Sequence, residues 1–135
     1  MQRILIASHG HFASGLKSSI EILTGMGEQI STIDAYVDDS DYTTQITAFI
    51  AQAETPAVIF TDLKGGSVNQ KVMLAAAGKT DLYIISQINL AIILAVLLDP
   101  APLSAAHLDE LIAQSQVERI ELTASADESD ADFLS

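Results

Sequence analysis

The chain has 135 residues, about one domain's worth: enough for a real core and too few for two ordinary domains. Six basic residues stand against eighteen acidic ones, and a formal net charge of −12 repels a phosphate backbone, so nucleic acid is excluded as a natural partner while a basic protein is attracted. No cysteine is present, which excludes disulfides, thiolate catalysis and cysteine-ligated metals; mean hydropathy is +0.33, yet the longest apolar stretch, residues 90–98, is about half a membrane span. The apolar run after Arg3 is too short for a secretory h-region, so a cytoplasmic location is expected.

Residues 4–10 open the chain as a buried strand that stops at a histidine, Ile4-Leu5-Ile6-Ala7-Ser8-His9-Gly10. Phe12, Leu16, Ile20 and Leu23 then recur at helical spacing, up to Gly25-Met26-Gly27. Residues 30–36 mix β-branched and polar side chains as a second strand would, and Asp38-Asp39-Ser40-Asp41 supplies a loop and a helix N-cap. The second helix carries Ile46, Phe49, Ile50 and Ala53, and Thr55-Pro56 stops it.

Residues 57–61 read as a third buried strand running into Asp62. The loop Leu63-Lys64-Gly65-Gly66 leads to Ser67, expected as an N-cap, and Val72, Met73, Ala76 and Ala77 fit a third helix closed by Gly78. Residues 82–86 make a fourth strand, Asn89 starts an apolar helix, Asp99-Pro100-Ala101-Pro102 breaks it, and Ser104 caps a last helix with Leu108, Leu111 and Ile112. Residues 117–122 are a candidate fifth strand, antiparallel at a sheet edge or exchanged with a second subunit. The domain is therefore expected over residues 1–123, with 124–135 an acidic, disordered tail.

Strands alternating with helices imply an α/β fold, a mostly parallel, doubly wound sheet of four strands in the order 2-1-3-4 with helices on both faces. In that order the first and third strands are neighbours whose crossovers leave toward opposite faces, so a crevice opens between their tips, where His9 and Asp62 stand. A carboxylate bonded to one ring N–H fixes the tautomer and leaves the other nitrogen's lone pair exposed, which suits a nucleophile or base. Beside them Gly65-Gly66-Ser67 opens a helix, where free N–H groups and the dipole favour an anion such as a phosphoryl group. Leu63, Asn69 and Asn89 are further candidates for lining the crevice.

Taken singly, each feature has a bland reading, a loop histidine or ordinary turn and cap chemistry. Their convergence on one edge of one sheet is what marks a site. His11 reads as a solvated residue beginning the first helix and His107 as a residue of a helix's polar face. His9-Gly10-His11 with Asp62 falls short of a metal-ligand set, so no metal is expected. Gly65-Gly66-Ser67 lacks the Gly-Lys-Ser/Thr ending of a nucleotide-binding P-loop, Gly10 and Gly15 make no dinucleotide fingerprint, and there is no Gly-x-Ser-x-Gly elbow.

Three motifs, Ser8-His9-Gly10, Thr61-Asp62-Leu63-Lys64-Gly65-Gly66-Ser67 and Gln87-Ile88-Asn89-Leu90, make residues 1–116 resemble the IIA component of the mannose family of the bacterial sugar phosphotransferase system. Lys64, Val68 and Ala91 depart from positions where that family often has an aromatic residue or a proline. The resemblance implies that His9 accepts a phosphoryl group from the carrier HPr and passes it to a IIB component, which serves a membrane IIC/IID complex. It also implies that Asp62 orients His9, that Gly10, Gly65, Gly66 and Ser67 hold the phosphoryl oxygens, that no cofactor is needed, and that the protein is a homodimer with an exchanged C-terminal strand. Two alternatives stand beside it: a phosphotransferase subunit serving dihydroxyacetone kinase, and an anion-sensing regulatory module without turnover.

Overall fold

The computed structural model describes residues 2–123; the expected acidic tail, 124–135, lies outside the described residues. The first strand, β1 (Ile4–His9), forms where the apolar run stood, and every residue of it but the terminal His9 is buried. It pairs in parallel with β2 (Ile30–Ala35) on one side, Ile4 opposite Ile30 and His9 opposite Ala35. On the other side it pairs with β3 (Ala57–Thr61), Ile4 opposite Val58 and Ala7 opposite Thr61, and β3 pairs in turn with β4 (Leu82–Ile85). The order β2-β1-β3-β4 is the one expected.

The strand period of two sorts the side chains into two cores. Ile4, Ile6, Ile30, Val58 and Phe60 face α1 (Phe12–Thr24), α4 (Leu90–Leu98) and α5 (Ala105–Gln114). Leu5, Ala7, Ile33, Ala35 and Ile59 face α2 (Tyr42–Gln52) and α3 (Ser67–Ala76). Val58, Ile59 and Phe60 are fully buried, and each such side chain stabilises the fold by about 1.5–3 kcal/mol relative to exposure.

Helix phases shift from the sequence reading in two places. The buried stripe of α1 is Ala13, Leu16 and Ile20, so Phe12 and Leu23 fall on its flank and are 46% and 60% exposed. In α3 the buried positions are Val68, Asn69 and Val72, and Met73 faces outward. A small alanine or an amide can hold the centre of a buried face, which apolar spacing alone does not register. The caps at Asp41, Asn89 and Ser104 are as expected: each side chain accepts a hydrogen bond from a first-turn N–H. Ser67 differs, because Gly66 occupies the N-cap position and Ser67 is the first helical residue, its hydroxyl left for other use.

Among the described residues of a single chain, 117–122 pair with no strand, and Val117, Ile120 and Leu122 are 86%, 72% and 93% exposed. An edge strand needs a partner's amides to hold it extended, and β4 does not take up this role within the chain. No described helix is long and apolar enough to cross a membrane.

Candidate functional site

His9 ends β1 and Asp62 directly follows β3, so the parallel pairing of those strands brings the two side chains together. One carboxylate oxygen, Asp62 Oδ2, accepts both from the His9 backbone N–H at 2.8 Å and from the ring at Nδ1, also 2.8 Å. The other oxygen accepts from the Leu63 N–H at 3.0 Å. Because a carboxylate only accepts, Nδ1 carries the hydrogen and Nε2 keeps its lone pair. Burial pushes the Asp62 carboxyl up, but the His9 and Leu63 hydrogen bonds and the neighbouring imidazole outweigh it and hold the group below its ordinary value of 3.8. The histidine is thus fixed at backbone and ring by one anion, with Nε2 pointing away from it.

Nε2 faces the start of α3. Ser67 Oγ lies 3.3 Å from it, and a Cβ built on Gly66 would stand 3.6 Å from His9 Cε1 and 3.2 Å from the Leu63 carbonyl. A side chain at position 66 would therefore crowd the Leu63 backbone carbonyl while coming into ordinary contact with the imidazole, which is the physical reason for a glycine there. Gly65, at φ +78, turns the loop through the left-handed region. The loop is tied down from outside: Gln87 Oε1 accepts from the Lys64 N–H at 3.2 Å and Gln70 Nε2 donates to the Gly65 carbonyl at 2.9 Å.

Of the amides expected to meet an anion, two are already engaged. The Gly10 N–H donates to the Ala35 carbonyl at 2.8 Å and the Gly66 N–H to the Leu63 carbonyl at 3.1 Å. The first intrahelical bond of α3 runs from Gln70 N–H to the Gly66 carbonyl, so the Ser67 N–H, one turn earlier, has no intrahelical acceptor. Asn69 does not line the crevice. It is buried, and its Oδ1 accepts from the Thr61 hydroxyl at 2.8 Å, pinning the first turn of α3 to the end of β3. Asn89 is likewise committed to the scaffold, accepting from the Ile92 N–H at 2.8 Å and donating to the Ser115 carbonyl at 2.7 Å. Leu63 is 58% exposed beside Asp62 on the loop surface.

Sequence reasoning missed Tyr36. Its ring stacks on the His9 imidazole, centroids 5.4 Å apart and planes 26° from parallel, and its hydroxyl lies 2.8 Å from Ser67 Oγ and 3.0 Å from the Tyr42 hydroxyl. Tyr36 follows the last residue of β2, a neighbour of β1, so the rule that singled out His9 and Asp62 at strand tips would have named it too. Ser8 was also passed over: fully buried, its Oγ accepts from the Ala13 N–H at 2.7 Å and so anchors the start of α1 to the strand that carries His9.

His11 is largely exposed, as expected, with Nδ1 3.1 Å from Asp34 Oδ2. His107 is less solvated than the sequence implied, its side chain 26% exposed and its Nε2 2.7 Å from Asp99 Oδ2. Among the described residues no group of three histidines, aspartates or glutamates converges as a metal site. The imidazole side chain of His9 is 43% exposed at an open surface, whereas the cavities of about 450 and 800 Å³ lie elsewhere, one against α2 and β2 around Phe49, the other around Pro100.

No curated protein matches the chain. Among solved structures it is similar to a protein of Klebsiella pneumoniae described as a phosphoenolpyruvate-dependent sugar phosphotransferase system permease, at 30% identity and a TM-score of 0.69, covering 84% of this chain and 82% of the other. It is similar to phosphotransferase system component EIIA from Streptococcus agalactiae at 25% identity and a TM-score of 0.70, over 85% and 92% of the two chains. The mannose/sorbose-specific IIA subunit from Enterococcus faecalis shares the fold, with a TM-score of 0.68 at 24% identity over 90% and 98%. The family model of the PTS system fructose IIA component, EIIA-man, matches residues 3–121. A match over nearly the whole described chain, on a sheet with a histidine and a carboxylate at adjoining strand tips, establishes that this chain belongs to the EIIA-man family and is a mannose-family IIA component of the sugar phosphotransferase system.

Proposed function

We propose that His9 is the phosphoryl acceptor, taking the group from phospho-HPr at Nε2 and handing it to a IIB component that serves a membrane IIC/IID complex. The observation that carries this reading is the clasp of Nδ1 by Asp62, with Nε2 left facing the Ser67 hydroxyl. The Nε2 lone pair forms the new N–P bond as the donor's own N–P bond breaks and its electron pair returns to the donor imidazole. The hydrogen on Nδ1 stays in place, so the phosphorylated ring is formally cationic and Asp62 balances it. Transfer to IIB runs the same exchange in the other direction. Positioning and electrostatics carry such in-line chemistry, and neither nucleotide nor metal enters the balance.

Ser67 O–H and the Ser67 and Gly65 amides are the donors we assign to the phosphoryl oxygens, replacing Gly10 and Gly66, whose N–H groups are engaged. The net charge of −12 does not oppose this at short range, because exposed carboxylates beyond roughly 8–10 Å are screened while a helix terminus acts within its first turn. Residues 1–123 form the phosphocarrier domain, and 117–122, whose Val117, Ile120 and Leu122 stand exposed in the single chain, are the segment we assign to exchange in a homodimer.

Incubation with phosphoenolpyruvate, enzyme I and HPr is expected to add one acid-labile, base-stable phosphate. Equal labelling of His9→Ala would refute the assignment. Offering the labelled protein to IIB and, separately, to dihydroxyacetone kinase identifies the acceptor.

A further inference from the structure

Three hydroxyls lie in series behind the imidazole. Ser67 Oγ is 3.3 Å from His9 Nε2, Tyr36 OH is 2.8 Å from Ser67 Oγ, and Tyr42 OH is 3.0 Å from Tyr36 OH. Either oxygen of a hydroxyl pair can donate, but the end of this row removes the choice. Since Asp62 holds the ring hydrogen on Nδ1, Nε2 only accepts, so Ser67 must donate to it. Ser67, having spent its hydrogen, accepts from Tyr36, and Tyr36 accepts from Tyr42.

We propose that Tyr36 is a positioning residue for phosphoryl transfer, its ring seating the His9 imidazole and its hydroxyl holding the Ser67 hydroxyl aimed at Nε2. The inference rests on the phosphoryl-acceptor reading of His9. Once Nε2 is bonded to phosphorus it accepts no longer, and the phosphoryl oxygens become the acceptors in front of Ser67. Only the Ser67 hydrogen then changes target, while Tyr36 and Tyr42 keep their direction. Donors that need no reorientation as charge arrives are the economical arrangement for transfer.

Two further features agree. Tyr36 holds a backbone φ of +68, a left-handed conformation costly for a side chain of this size, and it does so where its ring reaches His9 while 59% exposed. The acidity of the far hydroxyl agrees: burial, with the hydrogen bond to Tyr36, lifts Tyr42 to about 12, as suits the terminal donor. Tyr42 is itself buried at the start of α2, with the Lys71 ammonium 5.0 Å from its ring centroid, so the far end of the row is anchored in the core.

The variant that separates hydroxyl from ring is Tyr36→Phe. It keeps the stack and leaves Ser67 free to turn away, so kcat for transfer from phospho-HPr is expected to fall roughly fivefold with KM nearly unchanged, the effect of one lost neutral hydrogen bond. Nitrogen-15 NMR of the His9 ring gives the second readout: the Nε2 resonance of Tyr36→Phe should move toward that of a free, unbonded ring nitrogen while Nδ1–H stays. Tyr36→Ala should add a loss of ring order, seen as broadened His9 signals. An unchanged Nε2 resonance in Tyr36→Phe overturns the proposal whatever happens to the rate, and so does an unchanged kcat. If the unaltered protein takes no phosphoryl group at all, the acceptor reading fails, and the Nε2 resonance alone decides whether Tyr36 holds Ser67 on the ring.

Discussion

Replacing Asp62 by asparagine keeps the shape of the side chain and removes its charge, which isolates what the anion does. The side chain is only 12% exposed and uses both oxygens: one takes the His9 N–H and ring, the other the Leu63 N–H. An amide has one acceptor to offer. With its oxygen toward His9, its NH₂ meets the Leu63 N–H, donor against donor. Turned the other way, its NH₂ meets the His9 N–H and favours the tautomer in which Nδ1 accepts and Nε2 carries the hydrogen, which blocks attack. In the first orientation Nε2 stays free, but the cationic phosphoimidazole loses its counter-charge. A hydrogen bond to a charged group contributes about 1.5–3 kcal/mol, so losing the charge on the ring bond alone slows transfer roughly 10- to 150-fold. Stability should fall by about 1–3 kcal/mol for the donor left unpaired. Single-turnover transfer from phospho-HPr, quenched in the millisecond range, gives the rate, and urea unfolding gives the stability. Transfer by Asp62→Asn within about twofold of the native rate would show that orientation by the anion is not what makes His9 reactive.

Ser67→Ala removes the one hydroxyl facing Nε2 without touching the helix cap, which Gly66 provides; transfer should slow by roughly fivefold while the urea midpoint stays put, and a large stability loss would instead mean a structural role. Asn69→Ala leaves the buried Thr61 hydroxyl without its acceptor and should cost about 1–3 kcal/mol in urea unfolding. On acidification, Asp34, Asp62 and Asp99 all have folded-state values below their ordinary 3.8. A depressed carboxyl contributes stability that is present above the unfolded value and lost as pH falls through the folded one, so Tm should hold from about pH 7 to 5 and drop below about pH 4. A Tm that instead rose below pH 4 would contradict the three carboxylate clasps.

Some of this molecule is written in short-range pattern. Buried parallel strands are continuous apolar runs, so the stretches 4–10, 57–61 and 82–86 stood out, and their alternation with helices limited the topology to a doubly wound sheet with His9 and Asp62 at adjoining tips. Caps are equally local, since Asp41, Asn89 and Ser104 each bond an N–H two or three residues on. What only the folded chain decided is which polar groups are already spent. The Gly10 and Gly66 amides, Asn69 and Asn89 looked available and are consumed by Ala35, Leu63, Thr61 and Ser115, while Ser67, read as a cap, keeps its hydroxyl for the imidazole. The strand-tip rule places Tyr36 beside the site, but the left-handed backbone turn that lays its ring on His9 is a product of the folded chain. Apolar burial repeats with the helix or strand period and so leaves a periodic trace, whereas a hydrogen-bond partner is settled by three-dimensional proximity between residues of no fixed separation, and that leaves none.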